Sequence, residues 1–187
     1  HSWYRRQRQM CIRDRTYNYI KKMNDSLDEE NLEILANTVI TYSDLLTNRK
    51  TDYKFDLKKF TNVNGKTGIY IQYALVRAKK LFLDSKVVKK DLKLNSLFLD
   101  TEDIDFLKCL IKFEIHFNQA LTNSEPHHLA DYLYDISNLF NKIYQSENIL
   151  NNENNEKKLN KLLICYYFIE YSNLLMKLLG IRSVSKM

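Results

Sequence analysis

The sequence predicts an all-α fold, an antiparallel helical bundle, on three observations. Only 3 Gly and 1 Pro stand against 44% hydrophobic residues, too few breaks for the many short strands of a sandwich or barrel. Apolar residues recur at helical rather than alternating spacing over most of the chain. At 187 residues there is enough chain for a real core, as one domain or as a domain plus a remnant of another, at roughly 100–200 residues per domain.

The chain begins with a segment that is set aside. Trp3-Tyr4-Arg5-Arg6-Gln7-Arg8-Gln9-Met10-Cys11-Ile12-Arg13-Asp14-Arg15 resembles a translated transposase end from a sequencing library, so residues 1–15 are read as non-native. Five arginines against Asp14 make this segment the source of most of the net charge of +6. A pI near 9.1 therefore names no nucleic-acid or membrane partner by itself.

The elements follow in order. Ser26-Leu27-Asp28-Glu29 has capping-box spacing, and Leu32, Leu35, Ala36, Val39, Ile40 and Tyr42 continue at helical intervals to about Leu46. Residues 48–60 read as an irregular link, closed by the turn Asn62-Val63-Asn64-Gly65. From Gly68 to about Leu83, Ile71, Leu75, Ala78 and Phe82 form one helical stripe. Tyr70, Tyr73 and Arg77 form a second stripe roughly 130° away, at about 100° per residue. Residues 84–100 are Lys-rich and read as a surface connection. Residues 103–121 are helical in period, as one helix or as two broken near Lys112. Pro126 suits a helix start, and Leu129, Leu133, Ile136, Phe140 and Ile143 carry that helix to about Tyr144. The final helix runs over about 154–179; Gly180 takes the left-handed stop and Ile181 packs back.

Several function classes find no support. Cys109 and Cys165, the cysteines beyond the first fifteen residues, form no Cys-x-x-Cys pair, which suits a reduced, cytoplasmic protein. The longest apolar run, residues 162–169, falls well short of the roughly 20 residues of a membrane span, and no targeting segment is visible. No Ser/His/Asp or Cys/His set and no Gly-rich phosphate loop can be assembled. His127 and His128 are adjacent, hence about 100° apart on a helix, which argues for capping or hydrogen bonding over joint metal ligation. His116, between apolar neighbours, reads as a partly buried, satisfied histidine.

Two separated motifs carry the functional signal. The first is Thr67-Gly68-Ile69-Tyr70-Ile71-Gln72-Tyr73-Ala74-Leu75-Val76-Arg77. The second is Glu125-Pro126-His127-His128-Leu129-Ala130, followed by Tyr132-Leu133-Tyr134-Asp135 and by Phe140-Asn141-Lys142-Ile143-Tyr144. Together with Leu178-Leu179-Gly180-Ile181 and the terminal Met187, they resemble the anticodon-binding end of arginyl-tRNA synthetases, over about residues 16–187. The family patterns are T-G-P-Y-x-Q-Y-A-x-x-R, E-P-H-x-L-A-x-Y-L-x-D and F-N-x-x-Y. Ile69 replaces the usual proline, a change expected to loosen the helix start. His128 replaces a common arginine, and Ser185-Lys186-Met187 replaces an E-R-M ending.

The resemblance implies a bundle of the DALR anticodon-binding type over 68–187, preceded at 16–67 by a helical remnant of a class I catalytic domain. It implies an arginine–tRNA ligase that uses ATP and Mg²⁺, with neither bound by this part, since no H-I-G-H-like or K-M-S-K-S-like element is present. The implied partner is the anticodon loop of an arginine-accepting tRNA, the expected state is a monomer, and the chain alone is expected to be inactive. The implied RNA-binding residues are Tyr70, Tyr73 and Arg77, around the central anticodon base, with Tyr144 and Met187 as neighbours.

Physical chemistry fits that set, because unpaired bases are read by stacking on aromatic rings and guanidinium planes. Spacing alone favours a plainer reading, in which two of 13 tyrosines cover a core edge. Two other functions stay open: a free-standing helical RNA- or protein-binding module, and a sibling synthetase such as the cysteinyl type.

Overall fold

The computed structural model describes the backbone of residues 2–187 and the side chains from residue 10 onward. The described residues form eight α-helices, α1 (Ser2–Met23), α2 (Glu29–Leu46), α3 (Leu57–Phe60), α4 (Gly68–Ser85), α5 (Thr101–Ile111), α6 (Phe113–Asn123), α7 (His127–Ser146) and α8 (Asn155–Leu178). The described residues contain no strand. The segment set aside, residues 1–15, is helical from Ser2 and continuous with the rest of α1; His1 lies outside the described residues. Beyond that segment α1 packs on α2, with Thr16 and Ile20 buried.

Helix starts follow side-chain chemistry, with one shift from expectation. Asp28 caps α2, its Oδ1 accepting from the Asn31 N–H at 2.8 Å, where the box was expected at Ser26. The Ser26 hydroxyl instead donates to Asn24 in the preceding turn, and Glu29 and Glu30 fall in the first helical turn, which the helix dipole favours. Thr67 caps α4 by accepting from the Tyr70 N–H at 3.2 Å. The helix therefore starts at Gly68 without a proline, and Ile69 is buried. The irregular link contains the single turn α3, capped by Asp56, with Phe60 stacked on Phe55 at 5.4 Å.

The chain breaks between α5 and α6 at Lys112, whose N–H reaches back to Cys109 O at 3.0 Å. The Lys-rich connection is two 3-10 turns, Lys89–Asp91 and Ser96–Phe98. The apolar run 162–169 lies inside α8 as helix. Gly180 ends that helix at φ 69°, and the Ile181 N–H reaches Met176 O at 2.8 Å, leaving Ile181 buried.

Two apolar clusters result. The larger joins α4, α5, α7 and α8 through Ile71, Leu75, Phe106, Leu133, Phe140 and Phe168, and Tyr42 of α2 enters it. The smaller joins α1, α2, Phe60, Ile69 and the C-terminal Val184. No helix among the described residues is long and apolar enough to cross a membrane.

Candidate nucleic-acid interface

Helix α4 presents its polar-aromatic stripe to a seam with α7. The Arg77 guanidinium carbon lies 4.0 Å from the Tyr73 ring centroid and 5.2 Å from that of Tyr144. Arg77 also donates to the Tyr73 hydroxyl. One turn earlier, the Tyr70 hydroxyl lies 3.3 Å from Asn138 Oδ1, and its ring sits 5.6 Å from that of Tyr134. Tyr70, Arg77 and Tyr144 are half-buried and Tyr73 is 36% exposed, so the rings are reachable from solvent. Beside Tyr144 a cleft of ≈ 380 Å³ opens, lined also by Leu81, Gln145, Glu147 and Ile149.

Four of the five sequence-derived site residues thus lie along one α4–α7 seam: Tyr70, Tyr73, Arg77 and Tyr144. Met187 takes a different place, partly buried against the smaller core together with Val76. Val76 lies about 60° from Tyr73 around α4 at 100° per residue, so that core borders the Tyr73 side of the stripe. The motif reading assigned nothing to Tyr134, Asn138 or Asn141, although steps of four, three and three residues place them on one α7 face leading to Tyr144.

The rim is charged but internally paired. Lys66 Nζ lies 2.8 Å from Asp131 and 5.3 Å from the Tyr134 centroid, and the Asp131 hydrogen bond raises the lysine above its ordinary pKa. Burial raises Asp135 above the usual carboxylate range.

Glu125, His127 and His128 form the one group of potential metal donors among the described residues, their donor atoms within 4.8 Å of one another. The two imidazoles do not splay apart as an angular spacing of 100° suggests; their centroids are 4.2 Å apart. A cation is nevertheless poorly served there. Lys50 Nζ already sits 3.2 Å from Glu125 and lowers its pKa, and the positive end of the α7 dipole faces the same place. His128 Nε2 lies 3.4 Å from Glu125 Oε2, whereas His127 Nδ1, for which capping or hydrogen bonding was also expected, is buried without a hydrogen-bond partner.

Comparisons with known proteins point one way. The family described as the DALR anticodon binding domain matches residues 71–187. The arginine–tRNA ligase of Francisella tularensis subsp. novicida is 34% identical over 173 residues, 89% of this chain and 30% of that protein. The arginine–tRNA ligase of Wigglesworthia glossinidia brevipalpis is 33% identical over 171 residues, 89% of this chain and 29% of that protein. The crystal structure of arginyl-tRNA synthetase from Plasmodium falciparum aligns at a TM-score of 0.76 and 30% identity, over 95% of this chain and 32% of that one. The Thermus thermophilus arginyl-tRNA synthetase shares the fold at a TM-score of 0.81 and 20% identity, over 94% and 31% of the two chains. The chain spans about a third of the length of the relatives it matches.

Proposed function

The chain belongs to the DALR anticodon binding domain family, and we propose that it grips an unpaired anticodon nucleotide of an arginine-accepting tRNA with Tyr73, Arg77 and Tyr144. The observation that carries this reading is the Arg77 guanidinium lying against two solvent-reachable phenol rings contributed by different helices. In the free protein the guanidinium holds the place beside the rings. A splayed base offers a larger flat face to the same rings, and stacking of this kind contributes roughly 1–3 kcal/mol per base. Tyr70, held by Asn138, extends the aromatic surface by one turn, and Met187 closes the Val76 flank.

The names of the relatives favour an arginine–tRNA ligase as the parent activity over the cysteinyl sibling or a free-standing module. In that reading ATP and Mg²⁺ belong to the two thirds of the relatives' length outside this match, and the chain contributes tRNA selection in the cytoplasm, as a monomer. Fluorescence titration with anticodon stem–loop RNA tests it. Tyr73→Ala is expected to weaken binding of the arginine-accepting loop by roughly 1–3 kcal/mol; equal affinity of the unaltered chain for all loops defeats the reading. ATP–pyrophosphate exchange with arginine and tRNA on this chain alone is expected to show none.

A further inference from the structure

The C-terminal tail beyond α8 is held residue by residue. Gln72 of α4 donates to the Arg182 carbonyl at 2.7 Å and accepts from the Val184 N–H at 3.1 Å, and Lys79 donates to the Ser183 hydroxyl at 3.1 Å. Val184 is the last buried position of the tail, and beyond it the polar partners change helix. Among the described residues, those of Ser185 and Lys186 belong to α2 and its cap. Asn31 Oδ1 accepts from the Ser185 N–H at 3.0 Å, Asn31 Nδ2 donates to Ser185 Oγ at 3.0 Å, and Lys186 Nζ lies 3.6 Å from Asp28 Oδ2.

Asn31 is 3% exposed and is itself oriented by the α2 cap. One Asp28 oxygen accepts from the Asn31 N–H at 2.8 Å and the other from its Nδ2 at 2.9 Å. Both donors of the amide and its oxygen are therefore in use. The Lys186–Asp28 pair is exposed on both sides and contributes little, so Asn31 carries the attachment. Further along, Met187 packs against the smaller core, which Val76 also borders on the Tyr73 side of the stripe. Asn31 lies outside residues 71–187 that the DALR family matches, and Ser185 stands where the E-R-M ending has its acid.

We propose that Asn31 is a positioning residue for RNA binding: by clasping Ser185 it sets where Met187 lies on the Val76 flank of the stacking surface. An unclasped chain end samples many backbone conformations, and a nucleotide binding against it has to order it. With the clasp made, that ordering is complete before RNA arrives. The inference rests on the stacking reading above, and it extends the RNA-binding unit to α2, a helix that touches no nucleotide in that reading.

Titration of the full chain with the arginine-accepting anticodon stem–loop tests it, as a double-mutant cycle between Asn31→Ala and Met187→Ala. Each single variant is expected to bind about 3- to 10-fold more weakly, and the double variant within about 2-fold of either, because Asn31 acts through Met187. A residue needed only for stability lowers Tm without coupling to Met187 in binding. Hydrogen exchange in Asn31→Ala is expected to speed up at residues 185–187 while the Val184 amide, held by Gln72, keeps its protection. Should Asn31→Ala fail to melt cooperatively, Ser185→Ala takes its place in the cycle, since it removes the Oγ contact from the tail side and leaves α2 intact; a loss of about 3-fold is expected there. Unchanged affinity in the clasp variant or in Met187→Ala, or losses that add in the double variant, overturns the proposal and leaves the stacking surface standing. If Tyr73→Ala leaves affinity for every loop unchanged, the stacking reading itself fails, and with it the proposal.

Discussion

Replacing Lys161 by Met is expected to destabilise the fold more than any surface change, because Lys161 is a buried cation serving three carboxylates. Its side chain is 1% exposed, with Nζ 2.7 Å from Asp103 Oδ1, 2.9 Å from Asp100 and 3.4 Å from Glu147. Asp103 is fully buried, and its other oxygen accepts from the Asp100 N–H at 3.0 Å, so both oxygens are committed. Lys157 adds a second cation at 3.0 Å from Asp100. Methionine keeps an unbranched apolar stem, one atom shorter, and removes the ammonium with its charge and its hydrogen bond to Asp103. At 2.7 Å and an effective dielectric near 20 the lost Coulomb attraction is about 6 kcal/mol, and the side chain's own desolvation offsets part of it. The net loss expected on stranding a buried carboxylate is about 3–5 kcal/mol. For a domain of this size that lowers Tm by roughly 6–20 °C. Urea unfolding followed by circular dichroism measures it, with an unchanged m-value showing that the loss is one of stability. Lys161→Met with Asp103→Asn removes the stranded charge and is expected to recover most of the loss. The pH dependence has a definite sign. Burial opposes ionisation of Asp100, but hydrogen bonds from Lys161 and Lys157 outweigh it and hold its pKa below the usual carboxylate range. A depressed carboxylate contributes stability that is present above its unfolded pKa near 3.9 and is lost as pH falls below it, so Lys161→Met is expected to flatten the acid limb. A loss below about 1 kcal/mol, the range of an exposed pair, would refute the reasoning.

Gly68→Ala tests close packing under the candidate site: a Cβ there meets Thr38 Cγ2 at 2.8 Å and Thr38 O at 2.9 Å, and the backbone oxygen cannot swing away. The expected cost is about 1–3 kcal/mol of stability by urea titration, and a neutral substitution shows that α2 and α4 separate freely. His116 stacks on Tyr132 with centroids 4.9 Å apart, and burial lowers its pKa. Below about pH 6.5 the unfolded chain binds more protons there than the folded one, so stability falls as pH drops from about 7 to about 5. His116→Phe is expected to remove that slope, and an identical slope in the variant assigns the proton uptake elsewhere.

What could be read from residues alone depended on whether the decisive contact was local. Tyr70, Tyr73 and Arg77 share one helix, and the period of α4 alone puts them on one face. Tyr144 joins them across a helix pair, which no spacing within α4 announces; the F-N-x-x-Y motif supplied it. Asn138 and Tyr134 were missed for the same reason, since each acquires its role only when α7 docks. The α2 cap shifted from Ser26 to Asp28 because two competent caps stand two residues apart and spacing does not decide between them. Lys161 was hardest of all. It sits between Asn160 and Leu162 at the head of an apolar run, and only the approach of Asp100, Asp103 and Glu147 shows why a lysine is tolerated there.

The geometry of α4 explains why its functional stripe is well placed to hold a base. Ile71, Leu75 and Ala78 enter the larger core, while Ile69 enters the smaller one and Val76 packs against it. Between these two faces Gln72 is completely buried and fully used. Its Nε2 donates to Thr38 Oγ1 at 2.9 Å and to Arg182 O at 2.7 Å, and its Oε1 accepts from the Val184 N–H at 3.1 Å. The helix is therefore fixed against rotation by two cores and by a hydrogen-bonded post that also fastens the C-terminal tail. The angular sector left over is the one carrying Tyr70, Tyr73 and Arg77. Because that sector is what two packed faces leave free, the rings are presented by a rigid support, and little ordering of the backbone remains to oppose binding. The side chain left to move is Arg77, which must yield its place beside the rings.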